Sequence, residues 1–397
     1  MGAETLLLGV FLVSLALFLH PFVVYPVLLG ILSRTDIARG EGRDETITGE
    51  YPTVTLVIAA YNEEDVIESK IENSLELEYP DDRLDIVVFS DASSDRTDEI
   101  VSSYEDSGVR LVRIEGRVGK TECQNRVVED LTSDLIVFSD ANTVYDPGAI
   151  EALVQYFDDD VGCVVGEVRY EADDGPKRAD DVEGESLYWR QQRLIKRLES
   201  RVRSVVKGNG AIYAVRRECY VPLPADAMSD FAEPLAIRSR GAQVRYAPNA
   251  LAWEDTAGSI DAERARKVRM TTRSWHTITD YLHLLNPVRY GLYSFLVLSS
   301  TILLWSSPLF LIATVATALA LATVTSTPVF DATVALFALG GLFAIVGQQL
   351  DRRVGSAPII FHVPHYFLVG NYSLLLGFVN FLQGRTIVVW ETEDRSA

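Results

Sequence analysis

Two apolar runs in this sequence end in the same residues. "IVVFSDASSD" spans 86–95, and "IVFSDANT" spans 136–143. Each is a buried-strand pattern that stops at an aspartate, Asp91 in the first and Asp140 in the second. A carboxylate in that position stands at the rim of a parallel sheet, where open α/β folds bind ligands. Two more residues have types suited to chemistry. Lys120 follows a glycine in a chain whose other lysines are only Lys70, Lys177, Lys196, Lys207 and Lys267, and Asp230 precedes the helical pattern "FAEPLAIRSR". Each also has a purely structural reading. Asp140 and Asp230 suit helix caps or turns, Asn62 suits the cap of a helix starting at "YNEE", and Lys120 suits a solvated helix surface.

The surrounding pattern says what must position these groups. From Tyr51, strand-like runs at 53–61, 84–91, 109–116 and 134–141 alternate with helical spacings at 63–77, 95–106 and 119–131. Such alternation makes right-handed βαβ units: an α/β fold with a mainly parallel sheet and helices on both faces. The repeated Phe-Ser-Asp-Ala is then two parallel strands delivering aspartates to one edge. No G-x-G-x-x-G follows the first strand, so a dinucleotide-binding fingerprint is a poor fit. Further strands are expected at 163–170 and 211–218, with a helix at 181–200 between them.

Composition points to a membrane. Hydrophobic residues make up 48% of the 397. Residues 6–32 are apolar for longer than the ~20 residues a spanning helix needs. They lack the basic start and cleavage site of a signal peptide, and Pro21 and Pro26 predict a kink. Arg34, Arg39 and Arg43 follow, so the positive-inside rule puts the next domain in the cytoplasm. After Trp275, apolar tracts at 288–325 (interrupted at 306–308), 332–350 and 359–383 predict three or four further spans. A hairpin at 288–325 would put Arg352 and Arg353 outside, against the same rule. Residues 263–285 mix basic and apolar residues at helical spacing, as in an amphipathic helix lying on a membrane face. The expected organisation is an N-terminal transmembrane helix at 1–33, a linker at 34–50, a cytoplasmic domain at 51–261, an interface helix at 262–286, a transmembrane bundle at 287–385 and a polar tail at 386–397.

The formal net charge of -20 excludes an electrostatic nucleic-acid binder. Scarce lysine beside abundant acid suits a protein hydrated in concentrated salt, so a halophilic source is expected. Cys123, Cys163 and Cys219 form no C-x-x-C or Cys/His cluster, which argues against a zinc site or a disulfide framework. Asn371-Tyr372-Ser373 matches a glycosylation sequon inside an apolar stretch and reads as chance.

In this order, "TVTLVIAAYNEE", "VVFSDASSDRT", "GKTECQN" and "VFSDANT" resemble glycosyltransferase family 2. The resemblance covers residues 53–255, and the flanking apolar segments are similar to those of membrane-integral members that make or lipid-link polysaccharides. It implies a GT-A fold, a nucleotide-sugar donor, Mg2+ or Mn2+, and inversion at the anomeric carbon. Such a donor carries a diphosphate, which a hard cation with oxygen ligands neutralises as it leaves. Asp140 matches the first aspartate of the family's D-x-D motif as metal ligand. Asn142 stands where the second aspartate is usual, an oxygen ligand of less charge. Asp91 matches the aspartate that binds the nucleotide base, Ala60, Tyr61 and Glu63 match the loop around base and ribose, and Lys120 matches the lysine that reaches the diphosphate.

Inverting transfer also needs a base for the acceptor hydroxyl. In "AMSDFAEPLAIRSRGAQVRYAPNALAWED", Asp230 holds the family's base position, and Ser229 replaces the usual glutamate. "KGNGAIYAVRR" (207–217) is similar to the loop and strand under the acceptor. Arg269 matches the donor-binding arginine of the Q-x-x-R-W motif of processive members, but Arg266 and Met270 replace its glutamine and tryptophan. Without the tryptophan, single-sugar transfer is favoured over polymerisation. The expected protein is a membrane-integral glycosyltransferase acting on a lipid-linked or nascent glycan acceptor, with membrane lipids as partners. The alternatives are a processive polysaccharide synthase, a polyprenyl-phosphate sugar synthase, and a non-enzymatic membrane scaffold or lipid transporter.

Overall fold

The structure, a computed structural model, describes residues 2–35, 50–171, 187–255, 260–354 and 358–386. It divides into two units. One comprises residues 29–258, 276–294 and 386–397; the other comprises residues 1–28, 259–275 and 295–385.

The first unit is built on an eight-stranded sheet. In chain order its strands are β1 (Val54–Ala60), β2 (Leu84–Asp91), β3 (Val109–Ile114), β4 (Leu135–Asp140), β5 (Thr143–Tyr145), β6 (Val161–Glu171), β7 (Tyr213–Arg216) and β8 (Gln243–Asp255). They lie side by side as β3-β2-β1-β4-β7-β6-β8-β5. The first four are mutually parallel. β7 runs antiparallel to β4 and β6, β8 is parallel to β6, and β5 is antiparallel to β8.

The continuous apolar reading of β1 has a simple cause: both of its faces are covered. Val54, Leu56, Ile58 and Ala60 pack into one core, and Val57 and Ala59 into the core on the opposite face. Parallel register aligns Ala60 with Ser90 and Ala59 with Asp140, so the ends of β1, β2 and β4 share one edge. β2 and β4 leave β1 on opposite sides, and that reversal of strand order opens a crevice at the carboxyl ends.

Two strands have no counterpart in the sequence reading, the short β5 and the long β8. Pro248 interrupts the strand pattern of β8, because proline cannot donate to a ladder. The chain accommodates it in a bulge: Val165 pairs with Tyr246 but Glu167 pairs with Leu251, which leaves the residues around Pro248 outside the ladder. The helix expected at 181–200 is observed as Leu187–Val202; residues 172–186 lie outside the described residues.

The second unit is helical. Among the described residues, four helices are long and apolar enough to cross a membrane: Ala3–Leu32, Ser307–Val324, Pro328–Leu350 and Ile359–Leu382. A shorter apolar helix covers Leu292–Leu303. The expected kink at Pro21 is a π-helical turn, His20–Val24, that joins two α-helical segments without ending the helix. Polar side chains cross-link the bundle, with His20 Nε2 2.9 Å from Ser299 Oγ and Thr314 Oγ1 donating to Ser14 Oγ at 3.0 Å. Asn371 is buried within its helix, as the chance reading of the sequon requires.

Candidate active site

Loops at the ends of β1, β2 and β4 build the site. Asn62, just past β1, has a left-handed φ of 51°, a conformation asparagine tolerates better than most residues. Its N–H donates to Ser93 Oγ at 3.2 Å, and its Oδ1 accepts from the Ser94 N–H at 2.8 Å. The Glu63 N–H donates to Thr97 Oγ1 at 2.8 Å. These bonds fasten the loop after β1 to the loop after β2. Asn62 is therefore a loop clamp and not a helix cap, since the helix begins at Ile67. Ala60 is buried at the strand end, with Tyr61 and Glu63 half-buried beside it.

Asp91 is fully buried at the end of β2. Its carboxylate accepts from the N–H groups of Val118 at 2.8 Å and Gly119 at 3.0 Å, and Arg117 approaches it at 3.5 Å. The Arg117 guanidinium lies over the Tyr61 ring, with Cζ 3.1 Å from the centroid. Asp91 thus fixes the turn from which helix Lys120–Glu129 starts. Lys120 is the first residue of that helix, and its ammonium reaches the end of β4 to pair with Asp140 Oδ1.

Asp230 comes from the other half of the sheet. It lies in the first turn of helix Ser229–Ser239, one residue beyond the start and not at the cap. The loop 207–210 packs against it. The Gly208 N–H donates to the Asp230 carbonyl at 2.9 Å. Asn209 pins the loop, with Nδ2 donating to the Gly166 carbonyl at 2.9 Å and Oδ1 accepting from the Ile212 N–H at 2.9 Å. Gly210 stands where the charged groups converge. A Cβ there would lie 3.1 Å from Asp140 Oδ2, 3.2 Å from Lys120 Nζ and 3.8 Å from Asp230 Oδ2. Two carboxylates and one ammonium therefore face a spot that carries no side chain.

Asn142 is half-buried just past β4, and Thr143 beyond it donates to Glu254 Oε1 at 3.2 Å. Behind Asp140, Lys70 is buried with its ammonium 3.8 Å from the centroid of the Tyr145 ring. Burial pulls its pKa down to about 7, opposed by the charges of Asp140 and Glu254. Among the described residues, no group of three His, Cys, Asp or Glu side chains is placed to hold a metal ion. Asp140 and Asn142 offer one carboxylate and one amide oxygen. That is the partial set Mg2+ uses when substrate phosphates and water complete its shell, so the residues fit such an ion. Arg269 belongs to the helical unit, half-buried on helix Ile260–Asp280.

The glycosyl transferase family 2 model matches residues 55–214, from β1 into β7. Residues 55–214 therefore form a glycosyltransferase family 2 domain. The mannosyltransferase PcManGT from Pyrobaculum calidifontis, solved in complex with GDP-Man and Mn2+, has the same fold as this chain. Its TM-score is 0.71 at 20% identity, covering 96% of this chain and 99% of that one. The fold is GT-A, with apolar helices at both ends. Poly-beta-1,6-N-acetyl-D-glucosamine synthase of Staphylococcus aureus strain MSSA476 is 26% identical over 228 residues, 55% of this chain and 54% of that protein. The chain thus spans about half the length of these synthases. Probable glycosyltransferase YdaM of Bacillus subtilis strain 168 is 34% identical over 127 residues, 30% of each protein.

Asp140, Lys120 and Asp230, singled out from the sequence of this glycosyltransferase, lie together. Asp91 holds the loop that positions one of them. The sequence reading placed Gly208 and Gly210 only as part of the 207–217 loop and strand under the acceptor, and gave no role to Arg117, Lys70 or Lys196. A signal for the lysines was present in their scarcity. Lys70 and Lys120 flank Asp140, and Lys196 lies near Asp230, while Lys267 bonds Tyr366 in the helical unit and Lys177 lies outside the described residues.

Proposed function

We propose that this enzyme moves a single sugar, with inversion, from a nucleotide-sugar donor to a lipid-linked or nascent glycan acceptor at the cytoplasmic face of a membrane. The observation that carries this reading is the convergence of Asp140, Lys120 and Asp230 around Gly210. Asp140 and Asn142 would hold Mg2+ or Mn2+, whose charge neutralises the departing diphosphate. Ala60, Tyr61, Glu63 and Asp91 line or fix the nucleotide pocket. Lys120 turns from its ion pair with Asp140 towards the diphosphate when the donor binds. Asp230, across the bare surface of Gly210, takes the proton of the acceptor hydroxyl as its oxygen attacks the anomeric carbon.

Membrane placement rests on the four long apolar helices. Leu292–Leu303 is too short to cross by itself. The two crossings after the GT-A domain, Ser307–Val324 and Pro328–Leu350, then return Arg352 and Arg353 to the cytoplasmic side, where the positive-inside rule expects them. The excess of acid over lysine supports work in high salt, and equal activity in dilute buffer and in molar KCl would count against that.

A processive polysaccharide synthase is the second reading, favoured by the relatives that make poly-β-1,6-N-acetyl-D-glucosamine. Met270, in place of the tryptophan of the Q-x-x-R-W motif, favours the first. A labelled donor supplied to the purified protein separates them. Products one sugar longer than the acceptor are expected; a ladder of long polymers would replace single transfer with the second reading.

A further inference from the structure

Helix Ile67–Leu75 turns Ile67, Lys70, Ile71 and Ser74 towards the core. That spacing is one face of a helix, where apolar side chains are expected. Lys70 breaks the pattern. It is 1% exposed, and its Nζ has no hydrogen-bond partner among the described residues. What it meets is the face of the Tyr145 ring, 3.8 Å from ammonium to centroid. Asn73 holds the main chain of the same tyrosine. Its Nδ2 donates to the Tyr145 carbonyl at 2.9 Å, and its Oδ1 accepts from the Tyr145 N–H at 2.8 Å. Residues three apart are neighbours on a helix surface, so one helix fixes both the backbone and the ring of Tyr145.

The Tyr145 side chain is buried, and its hydroxyl reaches both sides of the site. It donates to the Ala211 carbonyl at 2.9 Å and lies 3.3 Å from the Phe138 carbonyl. Phe138 is two residues before Asp140 on β4, and Ala211 follows Gly210. One hydroxyl thus ties the strand that carries Asp140 to the loop whose glycine faces Asp140, Lys120 and Asp230. We propose that Lys70 is a positioning residue of the transfer site: it orients the Tyr145 ring and, through the Tyr145 hydroxyl, sets the distance between the end of β4 and the Gly210 loop. This rests on the reading of Asp140 and Asp230 as the donor-side and acceptor-side groups.

Packing alone does not call for a lysine there. Methionine or leucine would fill the same face without the cost of burying a charge. An ammonium on an aromatic face adds an attraction that a hydrocarbon lacks, and the attraction is stronger out of water. The two carbonyls hold only the tip of the ring, while the cation on its face restricts the tilt. Such restraint matters for transfer, since a misplacement of about 1 Å at the reacting groups can cost about 10²-fold.

The test uses the full chain in detergent with Mn2+ and labelled UDP- and GDP-sugars as probes. Calorimetry gives donor affinity and the number of donor sites, and transfer is expressed per donor site, which removes any unfolded fraction. Lys70→Met keeps the side-chain length without the charge, and Tyr145→Phe keeps the ring without the hydroxyl. Each should lower transfer by at least about tenfold, with donor affinity within about threefold of wild type. The double variant should be no slower than the slower single one, because both changes act along one path. Losses that multiply in the double variant would overturn the proposal, as would wild-type transfer in folded Lys70→Met. Equal losses of donor affinity and transfer would make Lys70 a merely structural residue. If Lys70→Met has no donor sites, Tyr145→Phe decides alone: the expected split supports the proposal, and transfer at the wild-type rate overturns it. Failure of wild type to bind any of the probes would overturn the transferase reading itself, whereas bound donor with multiplied losses would overturn only the role of Lys70.

Discussion

The two halves of the sheet supply their carboxylates in different ways. On the parallel side, Asp91 and Asp140 come directly off strand ends, and each is already held: Asp91 by backbone N–H groups, Asp140 by Lys120. On the mixed side, Asp230 comes from the first turn of a helix, and its position is set through its backbone by Gly208. On the parallel side the carboxylates are held in place within the site itself. The mixed side depends on the loop 207–210 packing against the helix of Asp230. Under the proposed function, the donor would bind on the parallel side and the acceptor on the mixed side.

The largest expected effect is on the parallel side. Asp140→Ala should abolish turnover and remove metal-dependent nucleotide binding, with far-UV circular dichroism unchanged. Full activity in that variant would break the comparison at its donor end.

Next comes Gly208→Ala. A Cβ there would meet the Asp230 carbonyl oxygen at 2.5 Å, so backbone must move. Overpacking of this kind costs about 1–3 kcal/mol. Transfer should fall by at least about tenfold, with donor affinity within about threefold of wild type. Equal loss of both would show that the two halves are not separable.

The mixed side also carries a buried acid. Glu233 lies on the same helix as Asp230, and burial pushes its carboxyl up to about 8, opposed by the Val221 backbone N–H. The folded protein then keeps a proton that the unfolded chain releases as pH rises through the ordinary carboxylate range. Stability from this group is full below that range and falls as pH rises towards about 8. Glu233→Gln should flatten the melting temperature between about pH 5 and 8, a gain of a few degrees at the upper end. Scanning fluorimetry across that range reads it; identical slopes in both proteins would remove Glu233 as the cause. The smallest effect is expected for Asn142→Asp, which restores the usual metal-side carboxylate and should leave transfer within about threefold of wild type.

The legible half of this molecule was the parallel half. Its strands are buried on both faces, so they read as unbroken apolar runs, and its aspartates sit at fixed positions at their ends. Four parallel strands, the helix behind Lys120 and the apolar spans could be read that way. In the mixed half the strands at 163–170 and 211–218 and the helix between them were legible as well, as β6, β7 and Leu187–Val202, but β5 and β8 were not, because their cues are non-local. β8 hides behind Pro248, whose bulge is allowed only by the pairing with β6. β5 is three residues long and exists because β8 lies beside it. Gly208 and Gly210 look like ordinary loop residues until the helix of Asp230 is packed against them. Asp230 itself was found through resemblance and not through periodicity.

The most direct test of the division is calorimetric titration of UDP- and GDP-sugars into wild type, Asp140→Ala and Asp230→Asn, each with and without Mn2+, beside transfer from the same labelled donors. Asp230→Asn keeps size and hydrogen bonding but cannot accept a proton. It should lower transfer by about 10²-fold or more, the usual worth of a positioned base, while donor affinity stays near wild type and Asp140→Ala loses the Mn2+-dependent part. Loss of donor binding in Asp230→Asn equal to that in Asp140→Ala, with transfer surviving, would contradict the account and make Asp230 a structural residue.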